Sequence, residues 1–425
     1  MRRTPILLFA VLLAALAGLA ACDRADAPPL TAFETVASPA APGSGEPNLT
    51  VDGDGVAYLS WIEPSSTGDA LRFARWEGRG WGPPRTIIDR PDLFVNWADF
   101  PSLAVLRDGT LAAHWLEKSG PGAYSYDVRM AFSRDDGEHW TDEIVIHDDG
   151  LEAEHGFVSL VPYRDRLAAL WLDGRATVTG DPMTLRFATV DREGGVSDRI
   201  RVDSSVCDCC QTALAATADG LVAAYRDRSE AEIRDIYVAR YVDGRWLAGR
   251  AVHDDGWEIA GCPVNGPALD TRGDTVAIAW FTAADTEGDG AETRDEIRSA
   301  GERGRTLAAF STDGGRTFGP PIRVDDGRSM GRVDVVLVEA GAALVTWLER
   351  TDQGAEVRIR AMGPAGVGPA VTVAGAAAAR AAGFPRVAHS GDRLLFAWTA
   401  SGEDGGVRTA VATLPEHETT GGGGR

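Results

Sequence analysis

Short apolar runs of about four to eight residues follow one another along most of the chain, and apolar and polar positions alternate within them. Many of these runs are separated by a polar turn such as RDG, ADG or SGD, which is typical of β-hairpins. No segment shows a convincing helical period. The pattern therefore predicts an all-β protein built from short antiparallel strands.

One aromatic position recurs along this pattern. It ends an apolar strand each time, and successive occurrences are 54, 56, 54, 55, 67 and 51 residues apart. After the aromatic come two further strands, for example DVRMAFS and EIVIHDD in one unit. The seven occurrences are Trp61, Trp115, Trp171, Tyr225, Trp280, Trp347 and Trp398.

A unit of four short strands repeated seven times predicts a seven-bladed β-propeller. Six blades are the alternative, if one unit proves degenerate. Two β-sandwiches would not produce one period that runs through the middle of the chain. The seventh unit ends after its third strand, GVRTAVATL, so its fourth strand is predicted to come from within residues 30–38. Such a strand would join the two ends of the chain and close the ring.

The beginning of the chain indicates export. Residues 1–21 carry Arg2 and Arg3 before an apolar run too short to span a bilayer, which is typical of a signal peptide. The run ends in Leu-Ala-Ala-Cys and resembles the lipobox of bacterial lipoproteins, where Cys22 becomes the lipidated N-terminus. We expect a protein of the bacterial cell envelope, held by this lipid on the periplasmic or cell-surface side. The predicted regions are the signal peptide 1–21, the lipidated tether with the closing strand 22–45, the propeller 46–415 and a disordered tail 416–425.

The overall charge narrows the choice of partners. Its formal value is −21, from 42 basic and 63 acidic residues. Such a charge disfavours nucleic acid and anionic lipid surfaces as partners. It leaves cations, neutral ligands such as glycans or small molecules, or a locally basic pocket. We expect the protein to be a monomer.

Two turns between third and fourth strands share one spacing. Residues 133–140 read SRDDGEHW and residues 311–318 read STDGGRTF. Both resemble the Asp-box, S-x-D-x-G-x-T-W, of the sialidase and BNR-repeat propellers. The Asp would accept backbone N–H groups within the turn, the Gly would take positive φ, and the aromatic would pack between strands. The structural residues of the two boxes are Ser133, Asp135, Gly137, Trp140, Ser311, Asp313, Gly315 and Phe318.

The resemblance implies an active site on the face opposite the Asp-boxes. In that family an arginine triad holds the substrate carboxylate, an Asp acts as acid and base, and a late-blade Tyr activated by a Glu is the nucleophile. This chain has Glu46-Pro47-Asn48 where the family has Arg-Ile-Pro, and its last tyrosine is Tyr241. If the protein is an enzyme, we expect an exo-glycosidase of sialidase-like type without the usual nucleophile.

Propeller geometry indicates which residues share that face. Segments that lead into first strands and segments that leave second strands lie at one end of the central channel. Carboxylates there are candidates for glycoside hydrolysis, and arginines there are candidates for binding a polar or anionic ligand. The catalytic candidates are Asp99, Glu154, Asp173 and Asp227, and the binding candidates are Arg226, Arg228, Asn265, Arg332 and Arg386.

Each of these candidates also has a structural interpretation. The arginines could pair with carboxylates and tie neighbouring blades together. An acidic residue follows the blade aromatic by two positions in five of the seven units, which favours a structural ring over a catalytic pair. Asn265 could cap the start of a strand instead of orienting a ligand.

Four cysteines fall on the same face, three of them in the stretch VCDCCQT. Two disulfides are the common outcome outside the cytoplasm, and the least strained pairing joins Cys209 to Cys262 and Cys207 to Cys210. The second interpretation is a soft metal site for Cu or Zn, with His155 as a further ligand. The third is a redox dithiol in which nearby arginines lower the pKa of one thiol.

Two functions follow from these groups of residues. The first is a sialidase-like glycoside hydrolase that acts on glycans outside the cytoplasm. The second is a non-catalytic propeller that binds a ligand or a metal through the cysteines and His155.

Overall fold

The computed structural model describes residues 33–284, 304–339, 342–363, 366–402 and 405–414. Within these ranges the chain forms seven antiparallel sheets, each with four strand positions, arranged as the blades of a β-propeller. Two short 3-10 helices, Gly174–Thr179 and Arg380–Ala382, are the helical segments of the described part. No helix in these ranges has the length and apolar character needed to cross a membrane. The predicted signal peptide, the lipidated Cys22 and the predicted tail lie outside the described residues.

The strands follow the chain from the N-terminus, beginning with β1 (Glu34–Val36). First strands of neighbouring blades contact one another, which places them around the propeller axis. Blade 1 contains β2 (Gly45–Val51), β3 (Ala57–Pro64), β4 (Asp69–Arg75) and β5 (Arg85–Arg90). Blade 2 contains β6 (Ser102–Val105), β7 (Leu111–Lys118), β8 (Tyr126–Ser133) and β9 (Ile144–Val145). Blade 3 contains β10 (His155–Tyr163), β11 (Arg166–Asp173), β12 (Thr184–Val190) and β13 (Val196–Asp203).

Blade 4 differs in that its outer strand is split into two short pieces, which both pair with the third strand. Its strands are β14 (Ala213–Thr217), β15 (Gly220–Arg226), β16 (Ile236–Val242), β17 (Arg245–Trp246) and β18 (Arg250–Ala251). Blade 5 contains β19 (Ala268–Arg272), β20 (Thr275–Thr282), β21 (Arg305–Ser311) and β22 (Ile322–Arg323). Blade 6 contains β23 (Ser329–Glu339), β24 (Ala342–Thr351), β25 (Gly354–Gly363) and β26 (Gly366–Ala376). Blade 7 contains β27 (Arg386–Ser390), β28 (Arg393–Ala400) and β29 (Gly406–Thr413).

The two ends of the propeller meet in blade 7. Strand β1 pairs antiparallel with β29, and Thr35 lies opposite Ala410. The Phe33 ring packs edge-on against Phe396 at 5.3 Å between centroids, which fixes the strand from its N-terminal side. The predicted seven blades and the predicted closure by an N-terminal strand are confirmed.

The hydrophobic core is divided into layers between neighbouring blades. The recurring aromatic of each unit lies on the second strand of its blade and packs in one of these layers. Trp61, Trp171, Trp280 and Trp347 are among the largest fully buried side chains of the described residues. The sequence period is therefore the period of core packing.

Candidate functional site

A cavity of about 170 Å³ lies on the propeller axis and is lined by residues near the start of the first strands. We call it the channel cavity, and we call the end of the propeller where the first strands begin the site face. All seven blades contribute to the wall of the cavity, which combines polar and apolar groups. From blade 1 to blade 7 the wall includes Asn48, Asp99, Phe157, Gln211, Gly266, Asp334 and Arg386.

In four blades a non-glycine residue with left-handed backbone lies at or near the start of the first strand. Glu46, Phe157, Val264 and Arg332 have φ values of 52°, 53°, 50° and 57°. In blades 1, 3 and 6 the pairing register shifts beside this residue, which marks a β-bulge. Bulges re-aim side chains, and residues in sparsely populated conformations concentrate at functional sites. These first-strand irregularities lie beside the channel cavity.

Asp99, Tyr126 and Glu154 form a hydrogen-bonded chain between blades 2 and 3. The Tyr126 hydroxyl lies 2.9 Å from Asp99 Oδ2 and 3.0 Å from Glu154 Oε1. Asp99 Oδ1 also accepts the backbone N–H of Phe157 at 2.7 Å. A phenol has one proton to donate, so the second contact needs a proton on one of the two carboxyl groups. One carboxyl group is therefore protonated when both hydrogen bonds are made.

Burial raises the pKa values of the two carboxyl groups, Asp99 and Glu154. It raises the pKa of Asp99 to about 8, although hydrogen bonds from Phe157 and Tyr126 favour the charged form. It raises the pKa of Glu154 to about 7, and the carboxylate of Asp208 acts in the same direction. Asp99 and Tyr126 are each 1% exposed, whereas Glu154 is half-buried. Glu154 is therefore the member that solvent or a ligand can reach, and it titrates near neutral pH.

Tyr126 occupies the space between the two carboxyl groups. Their facing oxygens are at most about 6 Å apart, because each lies about 3 Å from the same hydroxyl. Retaining glycosidases use a similar separation, but their two carboxyl groups flank the bond that is cleaved. Here the phenol fills that position. Asp99 and Glu154 therefore do not form the open carboxylate pair that the sequence predicts for glycoside hydrolysis.

Asp173 and Asp227 are not part of this hydrogen-bonded group, so the structure joins two of the four predicted catalytic residues, although Asp173 pairs across the sheet with His155 beside Glu154. Asp173 is fully buried and accepts hydrogen bonds from Trp171 Nε1 at 2.9 Å and from Arg175 Nε at 2.7 Å. These contacts give Asp173 a structural role inside blade 3. Asp227 is half-buried, and burial together with the nearby Asp203 carboxylate raises its pKa to about 7.

Two of the predicted binding arginines are committed to backbone carbonyl groups. Arg226 is 2% exposed and donates to the oxygens of Asn265 and Phe281 at 2.7 to 3.0 Å. Arg332 is 6% exposed and donates to the oxygen of Gly383 at 3.1 Å. Asn265 Oδ1 accepts the N–H of Arg332 at 2.7 Å, so Asn265 has the structural role considered for it. These groups hold neighbouring blades together, which is the structural interpretation considered for them.

Arg228 and Arg386 keep part of their surface at the site face. Arg228 pairs with Glu232 at 2.6 Å and with Asp208 at 3.4 Å, and its side chain is 29% exposed. Arg386 lies 3.3 Å from Asp334 in the wall of the channel cavity, with its side chain 21% exposed. Of the predicted arginines, these two are within reach of a ligand.

The four cysteines lie together where blades 4 and 5 meet at the site face. Cys207 and Cys210 stand at the two ends of a short turn, and their sulfurs are 2.8 Å apart. Cys209 lies within the turn and forms a disulfide with Cys262, with 6.0 Å between the two Cα atoms. Cys207 and Cys210 are buried free thiols. One of the two predicted disulfides is thus present, and the second predicted pair is adjacent but unbonded.

His155 is not part of the cysteine cluster. Its ring stacks on His147 with 3.7 Å between centroids, and its Nε2 lies 2.9 Å from Asp149 Oδ2. The ring nitrogens of His147 make no hydrogen bond among the described residues, although Asp127 and Asp149 lie 3.5 and 3.4 Å away. His155 is therefore not placed as a metal ligand at the cysteine cluster. It belongs to a separate buried group between blades 2 and 3.

The two Asp-box turns have the hydrogen bonds expected of them. Ser311 Oγ donates to Asp313 Oδ1 at 2.7 Å and accepts the N–H of Gly315 at 2.9 Å. Asp313 Oδ2 accepts the Thr317 hydroxyl at 2.6 Å. In the other turn a histidine replaces this threonine, and the ring nitrogen of His139 takes the place of the hydroxyl, 2.7 Å from the Asp135 carboxylate. The predicted aromatic packing of Trp140 and Phe318 is also present, in the layers beside blades 1 and 4 respectively.

Tyr126, His147 and Arg234 are residues of this region that the sequence reasoning missed. Tyr126 begins a third strand, β8, and Arg234 lies two residues before another, β16. Because strands alternate in direction, the beginning of a third strand lies at the same face as the end of a second strand. Inspection of third-strand starts would therefore have found Tyr126 and Arg234, whereas His147 lies at the end of a blade in a segment without a distinctive pattern.

No family model and no curated protein matches this sequence. Among solved structures, a protein of unknown function from Dyadobacter fermentans matches with a TM-score of 0.53 and 12% identity, over 91% of this chain and 99% of that chain. The polysaccharide lyase Uly1 matches with a TM-score of 0.52 and 9% identity, over 88% of this chain and 90% of that chain. The phage phi92 endosialidase matches with a TM-score of 0.49 and 8% identity, over 93% of this chain and 70% of that chain. At these identities the likeness is one of fold.

Proposed function

We propose that this protein is a carbohydrate-active β-propeller that binds a glycan at the site face and uses Glu154 to transfer a proton. The main support for this proposal is the hydrogen-bonded group of Asp99, Tyr126 and Glu154. Cleavage of a glycosidic bond by hydrolysis needs an acid or base that works near the operating pH. Glu154 has its pKa raised to about 7 by burial and is half-buried at the site face. It can therefore give or accept a proton at neutral pH.

Aromatic rings support a sugar ligand at the same face. Trp97 stacks on Phe384 at 6.1 Å, and Phe100 lies 5.7 Å from the same ring. Arg332 lies 4.7 Å from the Trp97 ring and Arg386 lies 5.5 Å from the Phe100 ring, so cation–π contacts hold both rings in place. Ligand pockets typically combine such apolar surface with a few polar groups. Trp97 and Phe100 are partly exposed and could stack on sugar rings.

The chemistry of the face favours a neutral glycan over a polyanionic one. The protein carries a formal charge of −21. At the site face Arg228 already forms ion pairs with Asp208 and Glu232. The polysaccharide lyase Uly1 has a similar fold, which is consistent with a polysaccharide ligand. A sialidase-type mechanism with Tyr126 as nucleophile is not part of the proposal, because that hydroxyl is buried between two carboxyl groups.

The proposal is tested with Glu154→Gln and with Glu152→Gln, an exposed neighbour, as the matched control. Wild type and variants are screened for binding on a glycan array, then for cleavage of the bound glycans by chromatography of the products. We expect Glu154→Gln to bind as the wild type does but to lose cleavage at least about 100-fold, the typical value of one proton-transfer group. Equal cleavage by Glu154→Gln and wild type would remove Glu154 from the mechanism. Absence of glycan binding by the wild type would refute the proposal itself.

We also propose that the protein is a monomer anchored in the bacterial cell envelope by a lipid on Cys22, on the periplasmic or cell-surface side. The Leu-Ala-Ala-Cys sequence after an apolar run supports this proposal. We expect Cys22→Ala to release the protein from the membrane fraction. The mass of the N-terminal peptide measures the lipid directly, and an unmodified peptide beginning at another residue would contradict the anchor.

A further inference from the structure

The cysteine cluster has an inner and an outer pair. The inner pair, Cys207 and Cys210, is 1% and 2% exposed. The outer pair is the disulfide between Cys209, which is half-buried, and Cys262, which is exposed. A β-turn brings its first and fourth residues together, so Cys207 and Cys210 meet while Cys209 reaches away towards Cys262. The same short turn thus connects a buried dithiol to a disulfide at the surface.

Cys207 is in contact with both of its neighbours in the cluster. Its Sγ lies 2.8 Å from Cys210 Sγ and 3.9 Å from Cys209 Sγ. Thiol–disulfide exchange begins when a thiolate attacks one sulfur of a disulfide, so the attacking atom must be able to touch that sulfur. At 3.9 Å the Cys207 sulfur is in van der Waals contact with Cys209 Sγ, so Cys207 meets this condition for the outer disulfide.

Positive charge surrounds the same thiol. Arg234 Nη1 lies 3.5 Å from Cys207 Sγ, and its guanidinium is held by Glu232 at 2.7 Å. Burial alone would raise the pKa of Cys207, but hydrogen bonds from Cys210 and the Cys209 N–H, with the charges of Arg226 and Arg234, lower it to about 7. Burial and the neighbouring Cys207 hold the pKa of Cys210 well above its ordinary value. The pair therefore consists of a nucleophilic thiol and a protonated partner, as in known dithiol redox motifs.

We propose that the four cysteines form an internal disulfide relay, which moves one disulfide between the exposed outer pair and the buried inner pair. In the first step the Cys207 thiolate attacks Cys209 Sγ. A Cys207–Cys209 bond forms, the Cys209–Cys262 bond breaks, and Cys262 leaves with the electron pair and takes up a proton. In the second step the Cys210 thiol loses its proton and attacks Cys207 Sγ. The Cys207–Cys209 bond breaks, and Cys209 leaves as a thiolate that takes up a proton.

The two steps balance without any outside reagent. The inner dithiol is oxidised to a disulfide, and the outer disulfide is reduced to a dithiol by the same two electrons. The exposed Cys262 thiol can then reduce a disulfide of a small molecule or of another protein that reaches the site face. The relay gives a buried dithiol access to the surface while keeping it away from non-specific oxidants, a role separate from glycan binding.

A bulky maleimide tests the relay, because it can reach Cys262 but not the inner pair. The mature protein, which has one disulfide and two free thiols, is treated with the maleimide in the absence of reductant. Peptide mass mapping follows. We expect labels on Cys209 and Cys262, with Cys207 joined to Cys210. Labels on Cys207 and Cys210 with the outer disulfide intact would overturn the proposal. So would a lasting absence of label, or a bound metal that keeps four reduced thiols.

Two variants that remove one inner sulfur each separate the relay from simple opening of the cluster. Cys207→Ser removes the nucleophile, so we expect labelling of Cys262 to slow by at least about ten-fold. Cys210→Ser keeps the nucleophile but stops the second step, so we expect one label on Cys262 and a Cys207–Cys209 link. Thermal unfolding of both variants measures whether they remain folded. Wild-type labelling of Cys262 in folded Cys207→Ser would show that Cys207 is not the nucleophile and would end the proposal.

Discussion

In blades 1, 3 and 6 the acidic residue two positions after the blade tryptophan accepts a hydrogen bond from that tryptophan. Residues i and i+2 of a strand point to the same side, so the carboxylate lies beside the indole of its own strand. The Trp61 indole N–H donates to Glu63 at 2.7 Å, and the Trp347 indole N–H donates to Glu349 at 2.6 Å. A buried indole N–H without an acceptor would cost about 1 to 3 kcal/mol. In blades 1, 3 and 6 the recurring carboxylate is therefore part of the blade's structure.

Asp99 couples the stability of the protein to pH. Burial raises its pKa from 3.8 to about 8, so between these values the folded chain holds a proton that the unfolded chain has lost. Stability contributed by this group therefore falls as pH rises through that range. In Asp99→Asn the amide can accept the N–H of Phe157 and donate to Tyr126 without titrating. We expect the free energy of unfolding of the variant to decline less from about pH 5 to about pH 8 than that of the wild type.

Chemical denaturation at the two pH values measures this difference. Asp54→Asn, a change at an exposed turn residue of blade 1, is the matched control and should keep the wild-type dependence. An Asp99→Asn protein with the same dependence as the wild type would mean that Asp99 is already ionised at low pH in the folded state.

Arg234 is a positioning residue for the disulfide relay. Its guanidinium favours the thiolate of Cys207, so Arg234→Gln should shift the pH midpoint of maleimide labelling at Cys262 upwards by about one unit. The rate of labelling is measured across pH for both proteins. Arg228→Gln is the control, because Arg228 pairs with Glu232 and Asp208 rather than with a sulfur. Equal midpoints in all three proteins would mean that the charge of Arg234 does not act on Cys207.

Strand β8 connects two different roles. It begins with Tyr126 at the site face and ends with Ser133 in an Asp-box turn. At about 3.3 Å per residue, these two ends are about 23 Å apart. The Asp-box turn therefore lies on the face opposite the site. We expect substitutions in this turn to affect the site only through the stability of the blade.

The Asp-box serines allow a direct test of that separation. Ser133 and Ser311 are buried, and each accepts a backbone N–H, from Gly137 and Gly315 respectively, at 2.9 Å. Replacing either serine with alanine leaves this N–H without its acceptor, so we expect each change to destabilise the protein by about 1 to 3 kcal/mol. Denaturant unfolding measures the loss, with Ser204→Ala at an exposed position as the control.

Because the two boxes lie in different blades, the losses should add in the double variant. Maleimide labelling of the cysteine cluster should stay at the wild-type rate as long as the variants are folded. Labelling that changes in step with the stability loss would instead indicate that opening of a whole blade limits access to the cluster.

The elements themselves could be predicted from the sequence, whereas the contacts between them could not. A period of about 55 residues defines the blades because each blade buries the same aromatic in the same layer. Tyr126 and its two carboxyl partners are 27 and 28 residues apart in sequence and meet only when blades 2 and 3 pack together. Arg226 was a candidate for binding a ligand, but backbone carbonyl groups accept its hydrogen bonds, and a sequence pattern does not display such acceptors.

Three residues of the N-terminal segment close the ring of blades. Strand β1 covers the outer edge of β29, which would otherwise expose unpaired backbone groups to other chains. The pairing is reinforced by side chains, since the Thr409 hydroxyl donates to the oxygen of Val36 at 3.1 Å and accepts the Trp81 indole N–H at 3.2 Å. Blade 7 is therefore completed from both ends of the described chain and linked to blade 1.

Removal of the closing strand should weaken the propeller and make it associate. We compare two shortened proteins, one beginning at residue 33 and one beginning at residue 39. The second lacks β1 and the contact of Phe33 with Phe396, so we expect it to lose about 2 to 4 kcal/mol of stability. Thermal unfolding measures this loss, and light scattering measures association through the exposed edge of β29. If both proteins unfold at the same temperature and remain monomeric, the remaining contacts between blades 7 and 1 close the ring without β1.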